Sequence, residues 1–307
     1  MNVWQRWIQA PQTHWLRKLL FQVHLWLGIG FGLYVLAISV SGSALLLKYR
    51  VAEWFEPKYV VTPPADAVPL EGEALKAKMA EVYAGYELGF TIESMEKGTG
   101  TYVVLGKDGE FFPHYFDQYS ALDLGPTNPW PVKAMDWLAD MHDELFMGRT
   151  GRRVNGIGGA LFVLMSVTGL VIWWQGRTRW YEGLLILPGS KRAFMWQLHS
   201  FTGFWALLLM LAWGVSGFQL GFPDVVDTMI GWFVSDAQEG FGSNGMLRFF
   251  RAVHFARLGE TELTRWAWIV ASFIPTLILI TGVILWWRRV VRRWMRRVPV
   301  ELPATDK

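Results

Sequence analysis

The chain has 307 residues, 52% of them apolar, a mean hydropathy of +0.22 and a formal net charge of only +3. That composition is a membrane protein's, and no nucleic-acid partner is expected. There is no cysteine, which excludes thiolate iron–sulfur clusters, Cys-zinc sites, covalent c-type haem attachment and disulfides.

In chain order, residues 1–20 are a basic, aromatic lead-in with Arg6, Arg17 and Lys18 and no acid. The apolar stretch 21–47 is too long for a signal-peptide core and lacks a small-residue cleavage site, so it reads as an uncleaved first transmembrane helix. Residues 48–130 are polar. Within them Leu70–Ala84 reads as a helix and Leu88–Met95, Thr101–Gly106 and Glu110–Phe116 as strands, with Asp108-Gly109 as a hairpin signal. This is a small α+β domain inserted between the first two spans. Residues 131–152 hold an interfacial helix, too acidic for lipid at Asp136, Asp140, Asp143 and Glu144, which Gly148–Gly151 breaks.

The second span covers 153–175, a loop covers 176–193 and the third span covers 194–220. Residues 221–264 return outside the bilayer with a short helix near Met246–Leu258. The fourth span covers 265–287, with Pro275 as a kink, and 288–307 is a basic tail. The fold class is therefore a mainly α membrane protein: a four-transmembrane-helix bundle of two repeated hairpins with one small α+β insertion. Lysines and arginines of the N-terminus, the 176–193 loop and the tail fall on one side, which the positive-inside rule makes the cytoplasm.

The hairpins repeat a pattern. His24 with Gly28 and a closing Ser41-Gly42 matches His199 with Gly203 and a closing Ser216-Gly217. His142 precedes a span ending Thr168-Gly169 and Trp173-Trp174, and His254 precedes one ending Thr281-Gly282 and Trp286-Trp287. Topology places His24 and His199 near the inner face, and His142 and His254 at the outer boundary. An interfacial histidine taken singly is as readily structural as functional. Two depth-matched pairs in repeated helices point to ligation.

Two neutral imidazoles from different helices across a gap suit the axial positions of a haem iron, and Gly28, Gly32 and Gly203 offer room for the macrocycle. Zinc would want three or four converging ligands. The expectation is two six-coordinate haems, one near each face, with His24, His199, His142 and His254 as axial metal ligands. Arg149, Arg152 and Arg153, with Arg248, Arg251, Arg257 and Arg265, are candidate propionate partners outside; Arg17, Lys18, Lys191 and Arg192 are those inside. The same cations suit membrane-lipid phosphates. His14 is the rival to His24, His114 reads as a surface residue, and Met135 or Met147 could replace an outer histidine. No dinucleotide fingerprint or flavin-sized cytoplasmic domain is present, so electrons would come from a separate protein or a quinol. A transporter would need helices broken at the midplane, and only Pro275 suggests a break. A non-enzymatic interaction protein would have no use for the four histidines.

Over nearly the whole chain these motifs resemble the PepSY-associated transmembrane family, which includes ferric-siderophore reductases of the FoxB type. They are His24-x-x-x-Gly28, Ser41-Gly42, His142-x-x-Leu145, Thr168-Gly169, His199-x-x-x-Gly203, Ser216-Gly217, His254 and Thr281-Gly282. Asp117–Gly125 resembles the turn of a PepSY module, with Ser-Ala where Thr-Gly is usual. The resemblance implies two b-type haems with bis-histidine ligation and a bacterial inner-membrane location with both termini cytoplasmic. It also implies outer-sphere reduction of a periplasmic ferric siderophore, releasing Fe(II). Copper, a quinone or a partner cytochrome are alternative acceptors.

Overall fold

A computed structural model describes residues 2–55, 59–63, 66–93, 98–127, 129–187, 191–231, 242–259 and 261–295. In chain order the helices are α1 (Val3–Gln9), α2 (Trp15–Gly30), α3 (Gly32–Leu45), α4 (Lys48–Phe55) and α5 (Gly72–Val82). Four strands follow, β1 (Glu87–Ile92), β2 (Thr101–Lys107), β3 (Glu110–Asp117) and β4 (Leu122–Pro126). Then come α6 (Trp130–Glu144), α7 (Gly148–Trp173), α8 (Lys191–Trp205), α9 (Leu207–Gly221), α10 (Pro223–Gly231) and α11 (Gly242–His254). The chain closes with α12 (Glu262–Ser272), α13 (Ile274–Trp286), a π-helical turn over Trp287–Val291 and α14 (Arg292–Met295). Two compact units result: Leu47–Leu138, and Met1–Leu46 together with Ala139–Lys307.

The smaller unit is an antiparallel meander, β1-β2-β3-β4, covered on one face by α5. Thr101, Val103 and Leu105 of β2 are buried while Tyr102 and Val104 between them are half-buried, the period-two pattern of a strand. Leu75, Met79, Val103, Leu105 and Phe116 are at most 1% exposed, each contributing roughly 1.5–3 kcal/mol of burial. Asp108 (φ 54°) and Gly109 (φ 81°) both turn left-handed between β2 and β3, as a two-residue hairpin requires. The segment expected to be only a turn, Asp117–Gly125, instead closes one hairpin and opens β4. Its Leu-Asp-Leu-Gly-Pro sequence lacks strand character, and it is placed by pairing with β3.

In the larger unit α7 and the continuous segment Glu262–Met295 are each long and apolar enough to cross a membrane. Two bent pairs raise the number to four if each pair is one span: α2 with α3, bent by 60°, and the pair spanning Ala193–Trp205 and Leu207–Gly221, bent by 62°. The first and third spans, expected as single helices, are thus each two helices that meet at a bend. Gly30 and Gly32 flank the first break at Phe31, a recognised cause of kinking. The second, at Ala206 (φ −89°, ψ 0°), has no proline or glycine beside it, and nothing local in the sequence marks it. Both breaks fall seven residues after a histidine. Pro275 sits in the first turn of α13, just after the α12–α13 junction at Phe273.

The bends let each half-helix choose its own partner. α2 packs on α7 and α3 on α13, whereas α8 packs on α13 and α9 on α7. The α7–α9 crossing is very close. A Cβ on Gly159 would lie 2.5 Å from the Phe218 amide nitrogen, and one on Gly221 would lie 2.5 Å from Gly156 Cα. Only small residues permit such backbone approach.

The break between α6 and α7 also differs from expectation. It is made by Leu145, Phe146 and Gly148, all at positive φ, so of the expected Gly148–Gly151 only Gly148 takes part. Arg149, Arg152 and Arg153 therefore belong to the first turns of α7. Gly151 instead allows contact, because a Cβ there would overlap the Glu144 carbonyl. The short helix expected near Met246–Leu258 is α11, which ends at His254.

Candidate functional site

The larger unit brings the four histidines together in the two expected pairs. The rings of His24 and His199 have centroids 6.4 Å apart at 83°, and those of His142 and His254 are 6.3 Å apart at 57°. Metal–nitrogen bonds of about 2 Å, plus about 1.1 Å from nitrogen to ring centre on each side, span about 6.2 Å. Both separations leave room for one metal ion between the rings.

The Nδ1 atoms are all engaged. His24 Nδ1 lies 3.1 Å from Met165 O and 3.1 Å from Thr168 Oγ1. His199 Nδ1 lies 3.0 Å from both Ile278 O and Thr281 Oγ1. His142 Nδ1 lies 3.1 Å from Ile38 O and 3.0 Å from Ser41 Oγ. His254 Nδ1 meets Ser216 Oγ at 2.8 Å. Each imidazole is thus held by its own hairpin and faces its counterpart from the other. The Ser-Gly and Thr-Gly pairs that close the repeats are these contact points, which sequence reasoning noticed as repeats without assigning them a role. The glycine after the hydroxyl lets the ring lie against the helix. A Cβ would come within 2.8 Å of His142 Cε1 at Gly42, 3.2 Å of His24 Cε1 at Gly169 and 3.3 Å of His199 Cε1 at Gly282. Gly217 differs, packing against Gly159 Cα.

Outside the spanning helices, burial pushes the His142 imidazole below its usual range, and burial with the neighbouring His142 pushes His254 down to about 4. Both are neutral at physiological pH, the form that ligates a metal. Asn155 fixes this end of α6 by donating to His142 O (2.6 Å) and Asp143 O (2.7 Å), and it accepts from Tyr34 Oη at 2.9 Å.

The inner pair opens on a cleft of ≈ 1030 Å³ lined by His24, Gly28, His199, Gly203 and apolar side chains. A Cβ at Gly203 would meet nothing within 4 Å, and one at Gly28 only Met165 Cε at 3.6 Å. Packing of the chain itself does not demand these two glycines, so the cleft beside them suits a bulky planar group. Gly32 is different: its Cβ would strike Leu279, so it serves helix packing. Arg17 Nε, Trp286 Nε1 and Arg288 Nη1, on residues lining the cleft, are buried donors without an acceptor among the described residues. Each unmade bond costs roughly 1–3 kcal/mol, and a carboxylate such as a propionate would relieve it. Arg17 and Lys18 line the cleft as expected; Arg288, Arg289 and Arg293 join them from the far end of the chain. The side chains of Lys191 and Arg192 lie outside the described residues.

Of the cations expected beside His142 and His254, Arg152 is committed to Asp143 at 2.8 Å and to Glu144, and Arg265 to Glu262 at 2.6 Å. Arg149 and Arg153 are exposed on α7. His14 is not near His24's partners; its Nδ1 accepts from the Leu16 amide and caps α2. His114 lies in the smaller unit, beside Asp123 at 3.0 Å. No cluster of three or more His, Cys, Asp or Glu suited to a metal exists among the described residues.

The sequence matches the model of the family described as PepSY-associated TM region over residues 21–245, well over half of the chain. A search of curated proteins finds no match.

Proposed function

This chain belongs to the PepSY-associated TM family, and from that premise we propose that it is a di-haem membrane oxidoreductase. The observation that carries the proposal is the geometry of the two histidine pairs, 6.4 and 6.3 Å between ring centres. In this reading α7, the Glu262–Met295 segment and the two bent pairs are four spans of a bacterial inner membrane. Both termini are cytoplasmic, and the sheet-bearing unit is periplasmic. His24 and His199 hold an inner b-type haem, and His142 and His254 an outer one. When bound, such haems supply one-electron transfer without an open coordination position. The chain's own residues orient the imidazoles, neutralise the propionates through Arg17 and Arg288 with a hydrogen bond from Trp286 Nε1, and exclude water with the apolar cleft walls. The acceptor is a periplasmic ferric siderophore, reduced by one electron per Fe(III) to Fe(II). The donor is a separate cytoplasmic protein or a quinol.

The test is an optical spectrum of detergent-purified protein, oxidised and then dithionite-reduced, with haem quantified. About two haems per chain and a sharp reduced α-band are expected. His24→Ala or His199→Ala should remove one haem, and His142→Ala or His254→Ala the other. No haem after expression with ample supply would overturn the proposal. Reoxidation by copper or a quinone but not by ferric siderophore would replace the acceptor. The two broken spans favour one second reading, a transporter. Labelled siderophore accumulating in vesicles without a reductant would select it.

A further inference from the structure

Each of the four hydroxyls that meet the histidines also has a carbonyl of its own helix within reach of its proton. Thr168 Oγ1 donates to Leu164 O at 2.8 Å and Thr281 Oγ1 to Leu277 O at 2.9 Å. Ser41 Oγ donates to Ala37 O at 2.7 Å, and Ser216 Oγ to Trp213 O at 3.1 Å. These side chains are at most 2% exposed, so no solvent competes for them. A hydroxyl has one proton. With it given to the helix carbonyl, only an oxygen lone pair is left to face the imidazole. Nδ1 must then carry the ring proton, and Nε2 keeps an unprotonated lone pair. The backbone carbonyls of Met165, Ile278 and Ile38 demand the same tautomer, since a carbonyl only accepts.

We propose that Ser41, Thr168, Ser216 and Thr281 are positioning residues that lock each imidazole as the Nδ1–H tautomer and tune the electron density its Nε2 offers to iron. Outer-shell acceptors of this kind raise ligand basicity and fix ring orientation. A more electron-rich ligand favours the ferric state and lowers the reduction potential. The four sites are not equivalent. His24, His199 and His142 each have a hydroxyl and a carbonyl, whereas among the described residues Ser216 alone is within hydrogen-bonding distance of the His254 imidazole. Among the described residues His254 thus has one hydroxyl to hold its Nδ1, and the Nδ1–H form follows there from Ser216 giving its own proton to Trp213 O. This inference rests on the di-haem reading, and it extends that reading to what sets the properties of each centre.

The experiment is a potentiometric titration of the full-length protein in detergent, comparing the parent with Ser216→Ala, Ser216→Thr and Thr168→Ala. In Ser216→Ala the outer centre should titrate at higher potential, with about a tenfold change in the ferric–ferrous equilibrium, equivalent to about 59 mV for one electron. The inner centre should stay put, and Ser216→Thr, which keeps the hydroxyl, should restore the parent value. Thr168→Ala should shift the inner centre less, because Met165 O still holds the ring. Haem retained at unchanged potential in Ser216→Ala would overturn the inference. If that variant does not hold its outer haem, Thr168→Ala decides: a raised inner potential supports the inference and an unchanged one overturns it. Absence of haem from the parent protein would be a failure of the di-haem reading and is visible before any variant is made.

Discussion

One added methyl at Gly42 tests the outer site directly. The Cβ of Gly42→Ala would sit 2.8 Å from His142 Cε1, 3.4 Å from Nδ1 and 3.6 Å from Nε2. Carbon atoms prefer about 3.5–4.0 Å, so the ring must retreat by about 1 Å. That motion stretches the Nδ1 contacts, 3.0 Å to Ser41 Oγ and 3.1 Å to Ile38 O, to about 4 Å, beyond hydrogen-bonding range. The one Nδ1–H proton shared by these two acceptors loses its bond, about 0.5–1.5 kcal/mol, or about 2- to 13-fold in affinity at the site. The assay is haem occupancy per chain during titration with limiting haem, together with the potential of the outer centre. The inner centre is the internal standard. Gly30→Ala is the control, since a Cβ there meets nothing within 4 Å and a helical alanine is intrinsically better by about 1 kcal/mol. Full occupancy of both sites in Gly42→Ala, with an unchanged outer potential, would refute the reasoning.

Gly203→Leu should abolish inner haem binding while leaving the protein folded and membrane-inserted, because no atom of the chain lies within 4 Å of the added Cβ; retained inner haem would mean that the macrocycle does not use this cleft. Gly159→Leu should act oppositely, destabilising the α7–α9 crossing by about 1–3 kcal/mol or more, seen as a lower midpoint in detergent denaturation with both haems lost together. In the sheet-bearing unit, burial pushes the Asp123 carboxyl up, but hydrogen bonds from His114, Gly125 and Tyr83 outweigh it and hold the group below its usual value. A depressed carboxylate stabilises the fold above its unfolded pKa of about 3.9 and loses that contribution as pH falls through the folded value. Amide protection in β3 and β4, corrected for intrinsic exchange, should therefore fall below about pH 4, and Asp123→Asn should flatten that dependence.

Much of the site is legible because the information is local and repeated. His24 and His199 stand at the same offset from Gly and Ser-Gly, and the spans between are apolar enough to fix their depth. Depth then pairs the histidines by face, whatever the details of packing. The Asp108-Gly109 hairpin and the alternation of β2 are equally local, since turn chemistry and period-two patterning are written in consecutive residues.

Other features depend on what lies across a helix, and only the tertiary structure decides them. The bends at Phe31 and Ala206 send the two halves of each broken segment to different partner helices; of the two, only the first has a glycine beside it. That exchange brings Thr168 to His24 and Thr281 to His199, so that a repeated Ser-Gly or Thr-Gly becomes the acceptor for a distant imidazole. The arginines sort by neighbour as well: Arg288 comes from the end of the chain to the cleft of a histidine in α2, while Arg152 is taken by Asp143 and Glu144. Strand β4 exists because β3 offers it a ladder. A sequence states which groups a chain carries and how deep an apolar span sets them; long-range packing decides which of those groups meet.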